Sequence, residues 1–231
     1  MKVLFSFSII LIPFLSGCFS FSPIREKEEI LDGYGALIFQ PVEGWPVIIE
    51  RGRSVDRRYS PCSTFKVVSM LLGLEAGSVT NLSDRLGYDG TIHEIEAWNR
   101  DVTLKEAFQV SCVWYFKKIM DKTSRGRVQQ WLDRLAYGNR DLSLWNEKGH
   151  NGFWLRPGLA ISPREQTAVL KKIFNGEADF PKKHISLLKA CMRQKPIGKK
   201  IDFYGKTGSG RDPGTGRLEG WFIGFLELPD G

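Results

Sequence analysis

The chain has 231 residues, 42% of them hydrophobic and 26% charged, a balance that excludes a disordered, collagen-like or multi-span membrane protein. Lysine and arginine outnumber aspartate and glutamate by 33 to 26, giving a net charge of +7. The basic residues are dispersed (Arg51, Arg53, Arg57, Arg58, Lys182, Lys183, Lys199, Lys200), which suits small anionic ligands or an anionic envelope better than a nucleic acid.

Residues 1–17 read as an export signal. Met1-Lys2 is a minimal positive start, Val3 to Leu15 is an apolar run, and Leu15-Ser16-Gly17-Cys18 supplies small residues at a cleavage site. The run is shorter than the roughly 20 residues a spanning helix needs. Leu-Ser-Gly-Cys resembles the lipobox of bacterial lipoproteins, which makes Cys18 a candidate for lipidation. Residues 18–32, polar and charged, read as a tether, and residues 33–231 as one domain. The expected location is the periplasm or cell envelope, with membrane contact only through the N-terminal lipid. Apart from Cys18 the cysteines are Cys62, Cys112 and Cys191, too few for a disulfide scaffold and expected to be small buried residues.

Ala36 to Phe39 and Val47 to Ile49, separated by Pro41, Gly44 and Pro46, predict a hairpin. Ser60-Pro61 starts a helix running from about Ser63 to Gly77, with Phe65, Val68, Leu71, Leu72 and Leu74 apolar. Thr103-Leu104-Lys105-Glu106 is a capping box. The apolar period beyond it (Ala107, Phe108, Val113, Phe116, Ile119) reads as one continuous helix. Val128 to Leu135 predicts a shorter helix, ending in Tyr137-Gly138-Asn139. Ser162-Pro163-Arg164-Glu165 starts another that stops at Asn175-Gly176, and a further one surrounds Ile185 to Met192. Ile201 to Tyr204 leads as a strand into Gly205-Lys206-Thr207-Gly208, and after an Asp212-Pro213-Gly214 turn Trp221 to Phe225 forms the last. Strands at both ends with helices between predict an α+β fold. One antiparallel sheet is shared by the N- and C-terminal strands, with helices on its faces and a mostly helical middle region.

Several motifs fail on spacing. Gly205-Lys206-Thr207 ends like a phosphate-binding loop, but its first glycine would fall at Lys200. His93-Glu94 starts like a zinc-protease helix, but the second histidine would fall at Ala97, so no metal site is expected. No Gly-x-Ser-x-Gly elbow surrounds any serine. What remains is Ser63-Thr64-Phe65-Lys66 at a helix start. Three positions apart, the hydroxyl and amine share one helical face. Burial among Phe65, Val67 and Val68 lowers the lysine's pKa, and a neutral amine activates a serine. A second match, Ser186 to Lys189, lies mid-helix and receives no role.

The ordered set Ser63-Thr64-Phe65-Lys66, Ser111-Cys112-Val113, Tyr137-Gly138-Asn139 and Lys206-Thr207-Gly208 resembles the class D β-lactamases, the oxacillinase-type serine enzymes. The likeness extends to Tyr88-Asp89-Gly90, Trp98-Asn99 with Asp101, Phe153-Trp154-Leu155, Ile161-Ser162 with Glu165-Gln166, and Gly220-Trp221-Phe222. The resemblance implies a serine β-lactamase/penicillin-binding transpeptidase-like fold and hydrolysis of penicillin-type β-lactams through a Ser63 acyl-enzyme. It implies Lys66 as N6-carboxylysine acting as general base, formed from CO₂ or bicarbonate with no other cofactor. The resemblance also breaks the helix at Ser111, against the continuous apolar period; there Ser111 would relay a proton, Val113 would keep the pocket dry, and Trp154 would donate its indole N–H to the carbamate. Lys206, Thr207 and Gly208 would edge the cleft and attract the substrate carboxylate. The amides of Ser63 and Ser209 would form the oxyanion hole, with Tyr137 and Asn139 shaping the cleft.

One departure from the family is expected. Its members continue past the Trp221 strand with another strand and a long helix, which this chain lacks, so the sheet should expose an edge. The alternatives are a penicillin-binding peptidase, and a non-hydrolytic β-lactam sensor or binding lipoprotein.

Overall fold

The computed structural model describes residues 4–11, 35–41, 43–149, 151–198, 201–212 and 216–228. Cys18, the expected tether, Lys199, Lys200 and the tip of the Asp212-Pro213-Gly214 turn lie outside these. Among the described residues, five antiparallel strands form one sheet: β1 (Leu4–Leu11), β2 (Gly35–Gln40), β3 (Val47–Arg51), β4 (Asp202–Arg211) and β5 (Leu218–Glu227), in the order β3-β2-β1-β5-β4. The described helices are α1 (Lys66–Glu75), α2 (Leu104–Gln109), α3 (Val113–Asp121), α4 (Arg125–Leu135), α5 (Pro163–Phe174) and α6 (Lys182–Met192). None is long and apolar enough to cross a membrane.

The expected hairpin forms, with Phe39 opposite Val47 and Ala36 opposite Glu50. The Trp221 strand, expected to be left open on one side, is paired on both. Leu4–Leu11, part of the apolar run read as an export signal, pairs with β5 from Leu4↔Glu227 to Leu11↔Gly220 and with β2 from Ser6↔Gln40 to Leu11↔Gly35. A short unbroken apolar segment has the composition of a signal core and of a strand buried in mid-sheet, and periodicity does not separate the two.

The helical layer is built around α1, in which every residue from Lys66 to Leu74 is buried. At Gly73 an added Cβ would lie 2.6 Å from Ile119 Cγ2, so the missing side chain lets α1 and α3 approach closely. The predicted capping box is present, Thr103 Oγ1 accepting from Glu106 N, and the Ser162 start forms a second one, Ser162 Oγ accepting from Glu165 N. Each supplies about 1 kcal/mol by satisfying orphan donors. The helix that periodicity reads as continuous past Thr103 is two, as the resemblance implies, because Ser111 takes φ 55° between α2 and α3. The residue with that left-handed backbone ends one helix, and Cys112 caps the next. Apolar spacing carries across the break, which hid it from the sequence.

Candidate active site

A single turn of 3-10 helix, Cys62–Phe65, leads into α1 and carries Ser63, half-buried between buried neighbours. Cys62, just before it, has φ 49°, a strained conformation for a residue with a Cβ. The strain is held from both sides. Thr64 Oγ1 donates to the Pro61 carbonyl at 2.6 Å, and Gln166 Nε2 of α5 donates to Thr64 Oγ1 at 2.6 Å. Gly210 of β4 leaves room for the Cys62 thiol, since a Cβ there would sit 2.5 Å from Sγ.

Lys66 Nζ lies 2.7 Å from Ser63 Oγ. The lysine is 0% exposed, and its Nζ lies 5.5 Å from the centre of the Phe116 ring. Among the described residues no carboxylate pairs with it. Burial first, and the charge of Lys206 second, bring its pKa down to about 7. A large share of Lys66 is therefore neutral near pH 7 and able to accept a proton. The spare Ser-x-x-Lys behaves differently: Lys189 Nζ is 2.6 Å from Glu227 Oε1, and Ser186 Oγ donates to the Lys182 carbonyl. That pair is structural.

The left-handed turn at Ser111 aims its hydroxyl at Lys206 Nζ of β4, with which it is hydrogen-bonded. Lys206 also donates to the Thr207 carbonyl at 2.8 Å, sits 5.7 Å from the Phe108 ring, and is pulled to about 8 by burial. Val113 is half-buried at the start of α3. Thr207 and Ser209 are exposed, whereas Gly208 between them is pressed on the nucleophile turn. A Cβ at Gly208 would meet Thr64 N at 3.1 Å and Pro61 O at 3.2 Å. Glycine thus eases the close approach of β4 to the turn that carries Ser63.

Trp154 is fully buried, stacks on Phe65 at 5.6 Å, and its indole N–H finds no partner. Its carbonyl accepts from Ser60 Oγ at 3.0 Å, tying its loop to the chain just before Ser63. Tyr137 is also fully buried, edge-on to Phe65 at 5.6 Å, and burial pushes its phenol pKa well up. Asn139 bridges the loop that carries Ala160: its Oδ1 accepts from Ala160 N at 2.9 Å and its Nδ2 donates to Gly158 O at 2.8 Å. Neither Tyr137 nor Asn139 offers a polar atom to the Ser63–Lys66 pair; they hold the wall behind it. The cysteines Cys62, Cys112 and Cys191 are free and buried, and burial raises each thiol's pKa.

Sequence reasoning did not single out Gln166, Phe108 or Phe116 for the site. Gln166 was in view only as part of a motif, and its bond to Thr64 spans 102 residues. The two phenylalanines were read as core; what distinguishes them is that each faces a buried lysine.

A half-buried serine touching a buried lysine of lowered pKa, with a second serine–lysine pair across the cleft, defines a serine acyl-transfer site. Residues 44–231 match the penicillin binding protein transpeptidase domain. The probable β-lactamase YbxI of Bacillus subtilis is 35% identical over 91% of this chain and 76% of its own length. The regulatory protein BlaR1 of Bacillus licheniformis is 35% identical over 85% of this chain, which spans 31% of that protein. The crystal structure of a class D β-lactamase from Bacillus subtilis superposes with a TM-score of 0.65 at 32% identity, covering 78% of each chain. The chain belongs to the penicillin-binding transpeptidase family and, within it, to the class D serine β-lactamases. Enzymes of this class need no metal cofactor.

Proposed function

We propose that this protein hydrolyses penicillin-type β-lactams through an acyl-enzyme on Ser63. The observation that carries the reading is the 2.7 Å approach of Lys66 Nζ to Ser63 Oγ at a fully buried position. The neutral amine takes the Ser63 proton as Oγ bonds to the lactam carbonyl carbon. The ring C–N bond then breaks, and Ser111, hydrogen-bonded to Lys206, delivers a proton to the departing nitrogen. Lys206 and Thr207 attract the substrate carboxylate, and Val113 limits water. The amides of Ser63 and Ser209 receive the oxyanion. Lys66 passes the Ser63 proton on to Ser111 and is again neutral; it then deprotonates the water that attacks the ester, and that proton goes to Ser63 Oγ as the acid leaves.

Lys66 also fits carboxylation by CO₂. Burial lowers the pKa of its amine to about 7, among the described residues no carboxylate pairs with it, and the indole N–H of Trp154 is buried without an acceptor. As N-carboxylysine, formed when Nζ bonds to the carbon of CO₂ and releases a proton, Lys66 supplies a carboxylate base beside Ser63. Tyr137 and Asn139 keep the wall in place.

A second reading, a sensor that is acylated but does not turn over, draws on the likeness to BlaR1. Mixing the purified protein with a chromogenic cephalosporin, with and without bicarbonate, separates the two. Repeated turnover that rises with bicarbonate supports the hydrolase, and a lasting adduct on Ser63 by intact mass supports the sensor or a penicillin-binding peptidase.

The same reading has the chain exported to the periplasm or envelope through residues 1–17 and anchored through Cys18. Its support is the order of positive start, apolar run and Leu15-Ser16-Gly17-Cys18. Leu4–Leu11 is also the central strand, so leader and strand compete for the same residues. Intact mass of protein recovered from the envelope decides: loss of the first seventeen residues with a lipid-sized gain on Cys18 supports export, and an unprocessed N-terminus rejects it.

A further inference from the structure

Ser69 lies mid-helix in α1, is 0% exposed, and its hydroxyl makes no hydrogen bond. A serine in that setting ordinarily returns its proton to a backbone carbonyl one turn back. Here it does not, so a buried donor is kept without a partner. Its place on the helix is informative. Lys66 Nζ lies over the Phe116 ring, and Gly73 abuts Ile119, so the α1 stripe containing Lys66 and Gly73 faces α3. Ser69, one turn after Lys66, falls beside this stripe, roughly 60° around the axis, and helical side chains lean back toward the preceding turn. The hydroxyl therefore leans toward the turn of α1 that carries Lys66. A second orphan, the Trp154 indole N–H, belongs to the residue stacked on Phe65.

Two buried donors without acceptors, one a helical turn from Lys66 and one on the ring stacked against Phe65, are a poor match for an amine, which brings at most one lone pair. They match a carboxylate, which has about four acceptor sites. We propose that Ser69 is a positioning residue for the N-carboxylated form of Lys66, its hydroxyl donating to the carbamate directly or through one buried water. The inference rests on the carboxylation described above: Nζ bonds to the carbon of CO₂ and one proton leaves. It predicts an asymmetry. Without CO₂ the Ser69 hydroxyl is a burden, and removing it does no harm; with CO₂ the same removal weakens the modified state.

The test is titration of the full chain with ¹³C-bicarbonate, reading the carbamate carbon by NMR, for the unaltered protein, Ser69→Ala and Ser69→Thr. The bicarbonate needed for half-carboxylation should rise about tenfold in Ser69→Ala and return toward the original value in Ser69→Thr, which keeps the hydroxyl. Thermal melts should show Ser69→Ala no less stable than the unaltered protein in CO₂-free buffer, and a smaller gain on adding bicarbonate. A carbamate signal that saturates equally in Ser69→Ala and the unaltered protein overturns the role of Ser69 alone. Equal loss of carboxylation in both variants does so too. No carbamate signal in the unaltered protein overturns the carboxylation reading, and this proposal with it.

Discussion

Lys66 Nζ sits 2.7 Å from Ser63 Oγ while the lysine itself has no exposed surface. A charged ammonium in that position would be stripped of water and faced by a second lysine, so folding and deprotonation are linked. The pKa falls from 10.5 in the unfolded chain to about 7 in the folded one. Between those values the unfolded state binds a proton that the folded state lacks, so stability rises with pH, by about 1.4 kcal/mol per pH unit. Below about 7 the penalty is complete and the slope vanishes. Lys206, lowered to about 8, adds the same sign over a narrower window. Denaturant unfolding in CO₂-free buffer should therefore show a midpoint that climbs from neutral to alkaline pH, and Lys66→Met should flatten much of that climb. An unchanged slope in Lys66→Met would show that the ammonium stays hydrated.

The two Ser-x-x-Lys matches provide a control for chemistry. Lys66→Ala removes the base and should cut acylation by a chromogenic cephalosporin by about a thousandfold or more. Lys189→Ala should leave the acylation rate within about twofold and cost only about 1 kcal/mol of stability, because it breaks a partly exposed pair with Glu227. Stopped-flow acylation and a denaturant melt read both. Slow acylation in Lys189→Ala would place that residue in the site.

Trp154→Phe keeps the stacking on Phe65 and removes only the unpartnered N–H. Stability in CO₂-free buffer should hold, whereas turnover should fall and become strongly dependent on added bicarbonate. Turnover that stays bicarbonate-independent in the variant would remove the indole from the account.

Gly138 has φ +51°, and a Cβ there would lie 1.9 Å from the Ala160 carbonyl oxygen. Gly138→Ala combines that clash with a strained backbone and should cost about 3 kcal/mol or more. A thermal melt checks it. A melt within a few degrees of the unaltered protein would mean the Tyr137–Asn139 turn yields freely.

The parts legible in the sequence are those set by neighbours along the chain. The boxes Thr103–Glu106 and Ser162–Glu165, the Pro163 start and the β2–β3 hairpin each depend on contacts a few residues apart, and each is where the residues put it. The Ser63–Lys66 pair was legible for the same reason. The break at Ser111 was not: its cause is one residue's φ, while the apolar period of Phe108, Phe116 and Ile119 continues undisturbed. The resemblance to a family, which implies a break there, supplied what periodicity lacked. β1 was missed because composition admits two fates for one apolar run. The clamp on Thr64 by Gln166 joins residues far apart in sequence, and no local rule reports it.

Ser111 answers to two demands at once, a left-handed backbone and a hydroxyl in contact with Lys206. Glycine or asparagine would adopt the turn readily but bring no alcohol; threonine would bring the alcohol but resist the turn through its branched Cβ. No single exchange preserves both properties. Drift at this codon therefore has no neutral neighbour to pass through, whereas the surrounding apolar positions can trade side chains of similar volume.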